Sequence, residues 1–397
     1  MIEAAGAVRP ARARFDPRAA IAGSYPEIAA LRAAVVPEIR ALQGKLAEDE
    51  AVGADTSGLR QALRELCWRL EYTGDAAAAC AALARLRHYA AMPTPPSALE
   101  RNEDGSCGIP TEIWFLKLDA SIDWMLADDA AASPVPAHFL DPVNDPQRLR
   151  SYFEALLVSR PAEDGVDRRN ELNLSSANLV RLILRRRPVG YPWDPRLAAV
   201  LRRFIADWQD PATGFFGATY EVGARLLRTN DLSMTFHMAR YLDGAIAYWP
   251  QLIDTLFAIR DDIYPYGWLD DEGMTSHNNY DVAVLLRLGW NAMRADQRRR
   301  GADELDRLLA WCLDSAIADD GTVTARAVGE SLPESYYFTI AFLDTLGFFE
   351  PAAPFWRDRA LPHAGPLRLR LGDRLRALDG RNPMTRMALA RLDRVPP

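Results

Sequence analysis

Two kinds of helical segment alternate three times in the second half of this chain. The first kind repeats apolar residues at spacings of three and four and keeps a polar face, as Arg202 and Arg203 show. The second kind is apolar around nearly its whole circumference. Because a helix without a polar face must be surrounded by protein, the alternation predicts an outer and an inner layer of helices. The amphipathic segments are 197–208, 252–263 and 305–317, and the apolar segments begin at residues 231, 281 and 335.

Acidic turns that contain glycine follow the amphipathic segments. Aspartate favours turns because its side chain bonds to the nearby backbone, and glycine accepts positive φ angles. The turns recur at intervals of roughly 50–60 residues, a period that suits helical hairpins. We therefore predict an all-α fold, an α/α toroid of about six helical hairpins in two concentric rings. The turns are 210–214, 270–273 and 319–321.

The toroid is expected to form a single domain. The chain has 397 residues, of which 49% are apolar and 25% charged, which suits a globular protein with a large core. The extent of the helical pattern predicts an N-terminal tail over residues 1–24, the toroid domain over 25–380 and a C-terminal tail over 381–397.

Charge and cysteine usage disfavour several classes of protein. The net charge is −7 and the isoelectric point about 5.4, whereas a nucleic-acid partner demands a basic surface. The four cysteines form no CxxC pair, which excludes a zinc ribbon and a thioredoxin motif. We predict no bound metal, no cofactor and no nucleic-acid partner.

Neither a membrane span nor a secretory signal is expected from the sequence. No run of about 18 apolar residues occurs, and the first 20 residues lack a continuous apolar core. The protein is therefore expected to be cytoplasmic, and the sequence leaves its oligomeric state open.

Polar residues cluster where each apolar helix of the predicted inner ring begins. The clusters are 229–231, 276–281 and 333–337. If the rings are regular, all outer-to-inner connections emerge at one end of the toroid. Sites carried on loops of a rigid scaffold are common, so we expect one shared site at that end.

Two short segments resemble known α/α-toroid enzymes. Residues 208–217, which include Gln209 and Gly214, resemble the glutamine/glycine/aromatic turn of the terpenoid cyclase and prenyltransferase repeat, and also turns in six-hairpin glycosidases. Residues 277–280 are similar to the Asn/His/Tyr constellation of toroid polysaccharide lyases such as alginate lyase. In those lyases Asn and His neutralise a uronate carboxylate while Tyr or His exchanges the proton. The acid and metal-binding motifs of the cyclases and prenyltransferases have no good match here.

Five residues are the predicted catalytic groups. His237 and His277 titrate near neutral pH and suit acid–base work, and Tyr280 offers a phenol. Asp231 and Glu334 occupy corresponding places at the starts of two inner helices. A carboxyl pair about 6.5–9.5 Å apart is the arrangement of inverting glycosidases. The alternatives are a surface or core histidine, a packed aromatic ring, and capping charges at helix N-termini.

A second group of residues is predicted to bind substrate. The polar ones offer hydrogen bonds, the arginine offers paired contacts to an acidic group, and aromatic rings stack on sugars or stabilise carbocations. Helix capping, exposed charge and core packing are the alternative roles; one of the two asparagines is expected to cap the inner helix. These residues are Asn278, Asn279, Asp281, Tyr220, Glu221, Trp268, Arg168 and Glu171.

The resulting functional hypothesis is a carbohydrate-active enzyme, of the glycoside hydrolase or polysaccharide lyase type, that acts on a small-molecule or oligosaccharide substrate. An isoprenoid cyclase-like enzyme and a non-catalytic toroid that binds a ligand are the two alternatives.

Overall fold

Helices make up 62% of the residues that the structure describes and strands 6%, so the prediction of an all-α fold is confirmed. The computed structural model describes residues 15–126, 137–185, 191–324, 329–361 and 364–394. The α-helices are α1 (Pro17–Ser24), α2 (Pro26–Ala51), α3 (Ser57–Tyr72), α4 (Ala76–Ala90), α5 (Trp114–Met125), α6 (Pro146–Leu156), α7 (Pro161–Asp164), α8 (Arg169–Val180), α9 (Leu197–Trp208), α10 (Leu232–Tyr241), α11 (Trp249–Ala258), α12 (Ser276–Gly289), α13 (Ala295–Trp311), α14 (Leu332–Thr345), α15 (Ala364–Arg376) and α16 (Pro383–Asp393).

Short non-α segments connect or extend these helices. Two 3₁₀ turns cover His138–Val143 and Trp290–Ala292, and π-helical turns extend α8 over Arg181–Arg185 and α13 over Cys312–Ala316. The strands are β1 (Val158–Ser159), β2 (Thr219–Val222) and β3 (Arg225–Arg228). β2 pairs in parallel with β1 and forms an antiparallel hairpin with β3, in the connection between α9 and α10.

The three apolar segments of the sequence form α10, α12 and α14, and each packs against the next. Nearly every residue of α12 is buried, as its apolar circumference requires. α5 and α8 extend the series before α10. α3 meets α5 through an ion pair of 2.5 Å between Arg64 and Asp119. At the other end of the series, the backbone N–H of Leu332 in α14 donates to Glu50 of α2 at 2.8 Å.

The amphipathic segments form helices with one exposed face. α9 leaves Arg202 and Arg203 exposed while it packs against α6, and α11 and α13 both pack against α12. α16, which lies within the expected C-terminal tail, packs against α14 and α15. Among the described residues no single helix is both long and apolar enough to cross a membrane, and only α1 and α2 taken together, across a 115° bend, reach that length and composition.

The polar cluster 276–281 belongs to α12 itself rather than to a preceding loop. Thr275 is the N-cap, and its side-chain oxygen accepts from the backbone N–H of Asn278 at 3.2 Å. The prediction that Asn278 or Asn279 caps this helix is therefore wrong, because a β-branched hydroxyl residue just upstream already does so. As a result, side chains from the first turns of α12 face neighbouring helices.

Candidate functional site

The N-terminal ends of α8 and α10 are joined by a buried ion pair. Both oxygens of Asp231 accept from the Arg169 guanidinium, at 2.7 and 3.0 Å, and Asp231 also caps α10 by accepting from the Met234 backbone N–H at 2.9 Å. The exposed fraction is 8% for the Arg169 side chain and 0% for Asp231. This predicted catalytic carboxylate therefore has its oxygens committed to structure.

His237 is held by a chain of side-chain hydrogen bonds one turn further into the protein. The Asn173 amide nitrogen donates to the Ser233 hydroxyl at 3.0 Å, and the Asn173 amide oxygen lies 3.0 Å from Nδ1 of His237. Because an amide oxygen only accepts, Nδ1 carries the imidazole proton and Nε2 keeps its lone pair. The ring stacks parallel to Tyr241, with centroids 5.7 Å apart.

The His237 imidazole is uncharged at neutral pH. Burial lowers its pKa well below 6.5, and the positive charge of Arg240 lowers it further. An uncharged imidazole with a free Nε2 lone pair is chemically a base.

Seven partly accessible side chains cluster around His237, and we infer that they line one cavity. Neighbouring members of the cluster are in contact, as His237 is with Tyr241 and as His277 is with Phe338, and each keeps part of its surface accessible. The seven are His237, Arg240, Tyr241, Tyr264, Tyr266, His277 and Phe338.

His277 is the second uncharged imidazole on this wall. Its ring stacks face to face on Phe338, with centroids 3.9 Å apart, and its Nδ1 lies 3.6 Å from Oε1 of Glu330. Burial lowers its pKa to about 4, although its side chain keeps 30% exposure. At neutral pH His277 therefore accepts or donates hydrogen bonds without carrying charge.

Asp281 is a buried carboxyl whose ordinary charge is suppressed. Only 1% of its surface is exposed, its Oδ2 accepts from the Tyr264 hydroxyl at 3.1 Å, and its Oδ1 has no hydrogen-bond partner among the described residues. Burial raises its pKa well above the usual value. Burial therefore favours the protonated, uncharged form of this carboxyl.

Arg240 forms the inner end of the cavity. Its guanidinium lies over the rings of Phe236, Tyr241 and Tyr280, 5.2 to 5.5 Å from their centroids, and its Nη2 donates to the Tyr337 hydroxyl at 2.9 Å. Burial alone raises the pKa of Tyr337, but Arg240 and a second nearby arginine outweigh it and bring the value to about 8. No carboxylate among the described residues forms an ion pair with Arg240.

The second arginine comes from the C-terminal helix. Arg391 of α16 lies 5.6 Å from the centre of the Tyr337 ring and 3.5 Å from the Tyr280 hydroxyl, and pairs with Asp344 at 2.5 Å. Tyr280 is 2% exposed, and burial raises its pKa. Tyr280 therefore contributes a packed ring behind the cavity wall.

Tyr220 ties the strand hairpin to the site. It is fully buried, and its hydroxyl donates to Asp167 at 3.0 Å and lies 3.4 Å from the Tyr266 hydroxyl. The hairpin therefore reaches the cavity wall through the contact between Tyr220 and Tyr266.

Five of the predicted site residues make their side-chain contacts with residues outside this cluster. Glu334 completes a capping box with Ser331 at the start of α14, Glu221 and Arg168 form ion pairs near the surface, Glu171 accepts from Tyr152, and Trp268 donates to the Leu256 carbonyl within the core. Asn278 and Asn279 are buried, and their amide nitrogens have no partner among the described residues.

Several residues at the site were outside the predicted set. They are Asn173, Ser233, Tyr264, Arg240, Tyr337 and Arg391. The signal for Arg240 was present in the sequence, since an arginine inside a largely apolar helix must find partners in the protein.

Within the described part of the chain, no group of three or more His, Cys, Asp or Glu side chains is arranged to hold a metal ion. The chain matches no family model, no curated protein and no solved structure.

Proposed function

We propose that the helices close into an α/α toroid. The contacts that support closure run from α3 through α5, α8, α10, α12 and α14. The bond from Leu332 to Glu50 links α14 back to the end of α2, which packs on α3. A closed ring of this kind accounts for an internal cavity reached from the N-terminal ends of its inner helices.

We propose further that the protein is an enzyme that cleaves an acidic carbohydrate by elimination. The observation that carries this proposal is His237, an uncharged imidazole on the cavity wall whose Nδ1 proton is committed to Asn173. Its Nε2 is left as the base that elimination next to a carboxylate requires.

The neighbouring groups suit the remaining steps. Nε2 of His237 takes the proton from the carbon beside the sugar carboxylate, and that electron pair forms a carbon–carbon double bond. The bond to the departing glycosidic oxygen breaks, and this oxygen takes the proton of the Tyr264 hydroxyl. Burial raises the pKa of Tyr264, so the phenol holds its proton until then. Asp281, whose Oδ2 lies 3.1 Å from that hydroxyl, then gives a proton to the phenolate, and the proton that His237 has taken returns through water to Asp281.

Hydrolysis by two carboxyl groups has less support among the predicted residues. Asp231 is bound by Arg169, Glu334 caps α14, and Glu221 pairs with Arg160. Among these predicted carboxyl groups, Asp281 is the one with a buried oxygen that lacks a hydrogen-bond partner within the described residues. A paired-carboxyl mechanism needs a second such group.

The test is a screen of uronate-containing oligosaccharides for an unsaturated sugar product, detected by its ultraviolet absorbance. The wild-type protein is expected to form it, and His237→Ala is expected to lower the rate by about 10²- to 10⁴-fold, the usual contribution of a general base. His88→Ala is the control, because His88 is exposed on α4. Reducing ends without unsaturation would indicate hydrolysis instead.

A second candidate function is protonation-initiated cyclisation of an isoprenoid. It is favoured by one observation: a single protonated acid, Asp281, lies near a wall rich in aromatic rings, which stabilise carbocations. The positive charge of Arg240 opposes it, since a carbocation in the same cavity would be repelled. Turnover of a prenyl substrate that is abolished in Asp281→Asn and unaffected in His237→Ala would favour this candidate.

A further inference from the structure

We infer that Arg240 is the carboxylate-binding residue of the cavity and makes the site selective for sugar acids over neutral sugars. The inference rests on the proposed function for its choice of ligand. It names the group that recognises the acid, whereas the proton-transfer groups are His237 and Tyr264.

The first support is that Arg240, a partly buried cation, has no ion-pair partner among the described residues. Its contacts are three aromatic rings and the Tyr337 hydroxyl, and no Asp or Glu in the described ranges pairs with it. The nearby cations Arg169 and Arg391 differ, since Asp231 and Asp344 neutralise them. A deeply placed cation without a carboxylate is costly unless an anion joins it.

The second support is that Arg240 has donors to spare. Only its Nη2 has a protein acceptor within hydrogen-bond distance, so Nε and Nη1 have none among the described residues. Arg240 also keeps part of its surface accessible. A guanidinium presents its N–H groups in a planar fork that matches the two oxygens of a carboxylate.

The third support comes from the neighbours of the binding position. His237, three residues away on α10, is uncharged, and its pKa is lowered by burial first and then by the charge of Arg240 itself. His277 is also uncharged. The aromatic rings hold the guanidinium in place, and a sugar ring packs readily on such faces. An acid bound to Arg240 is therefore placed beside the proposed base.

The experiment compares D-glucuronate with D-glucose, which differ by a carboxylate in place of a hydroxymethyl group, in titrations of the full chain followed by saturation-transfer NMR. The wild-type protein is expected to prefer glucuronate, and Arg240→Gln to weaken glucuronate binding by about 10- to 100-fold with little effect on glucose. Arg240→Lys, which keeps the charge but loses the fork, is expected to fall between the two.

Arg300→Gln is the matched control. Arg300 also lies over an aromatic ring, 4.4 Å from the centre of Phe257, and donates to a backbone carbonyl, but it lies on the exposed side of α13. This variant is expected to keep the preference for glucuronate. Circular dichroism of each variant shows whether weaker binding reflects a lost contact or a loss of folding. The comparison of glucuronate with glucose on the wild-type protein does not depend on the folding of any variant.

Three results would overturn the inference: equal or absent binding of the two sugars by the wild-type protein, an unchanged preference in folded Arg240→Gln, or competition by inorganic phosphate as strong as that by glucuronate. Selective glucuronate binding without any unsaturated product would support the carboxylate site while rejecting elimination. An elimination rate that does not change in Arg240→Gln would support elimination while rejecting Arg240 as the carboxylate site.

Discussion

The Oδ1 atom of Asn173 lies 3.0 Å from Nδ1 of His237, and the two residues come from adjacent helices, α8 and α10. The same amide donates to Ser233, so its orientation is fixed from the other side. Asn173 therefore selects the tautomer of His237, which in the proposed reaction makes it a positioning residue.

Replacing Asn173 by aspartate is expected to shift the pH profile of the reaction. A carboxylate at this distance stabilises the imidazolium and raises the pKa of His237 by about one unit or more. The acidic limb of the profile of kcat/KM should move to higher pH by a similar amount. Asn144→Asp is the control, because Asn144 bonds to the Pro192 carbonyl on an exposed loop. If the acidic limb of the kcat/KM profile does not shift in Asn173→Asp, Asn173 does not influence the acid–base chemistry of His237.

Replacing Arg169 by methionine is expected to destabilise the protein strongly. The change leaves Asp231 buried without its partner, and the loss of one member of a buried pair typically costs about 3–5 kcal/mol of unfolding free energy. Arg160→Met breaks a matched but exposed pair with Glu221, for which about 0–1 kcal/mol is expected. Urea denaturation of both variants measures the difference; similar losses would argue against a structural role for Asp231.

His277 makes the stability of the fold depend on pH. Its pKa is about 4 in the folded chain and 6.5 ordinarily, so the unfolded chain binds more protons between these values. The folded state therefore loses stability as the pH falls from 6.5 towards 4, by up to about 3 kcal/mol. His277→Gln should remove this part of the dependence, and His88→Gln should retain it. Unfolding curves at neutral pH and near pH 4.5 measure the change in the free energy of unfolding between the two conditions. An identical change in wild type and His277→Gln would contradict the lowered pKa of His277.

Substitutions at Glu334 distinguish a capping role of its carboxylate from a catalytic role. Its carboxylate accepts from both the backbone N–H and the hydroxyl of Ser331, at 2.9 and 2.7 Å. Glutamine at this position also completes a capping box, so Glu334→Gln is expected to keep activity and stability. Glu334→Ala should cost about 1 kcal/mol in unfolding free energy and leave kcat unchanged. A large fall in kcat for folded Glu334→Gln would restore Glu334 as a catalytic carboxylate.

Helix type and burial followed directly from the sequence, because an apolar circumference admits only a buried position. α10, α12 and α14 were recognisable for that reason, and His237 and Asp281 could be nominated from their places on them. The partners of these residues were not recognisable. Asn173 lies 64 positions before His237, and Tyr264 reaches Asp281 from a loop, so no local pattern links them.

The roles of the carboxyl groups depended on contacts that sequence spacing does not encode. Asp231 and Glu334 occupy similar positions at helix starts, yet one meets a buried arginine and the other a neighbouring serine. Arg391 reaches the site from a segment expected to be a tail, because α16 packs against α14.

The most direct test of the account is the rate at which the wild-type protein and His237→Ala form an unsaturated sugar from uronate-containing oligosaccharides. The wild-type protein and His88→Ala are expected to form a product that absorbs in the ultraviolet, and His237→Ala is expected to lose this activity almost completely. Absence of this product with every uronate substrate, or equal rates in wild type and His237→Ala, would contradict it.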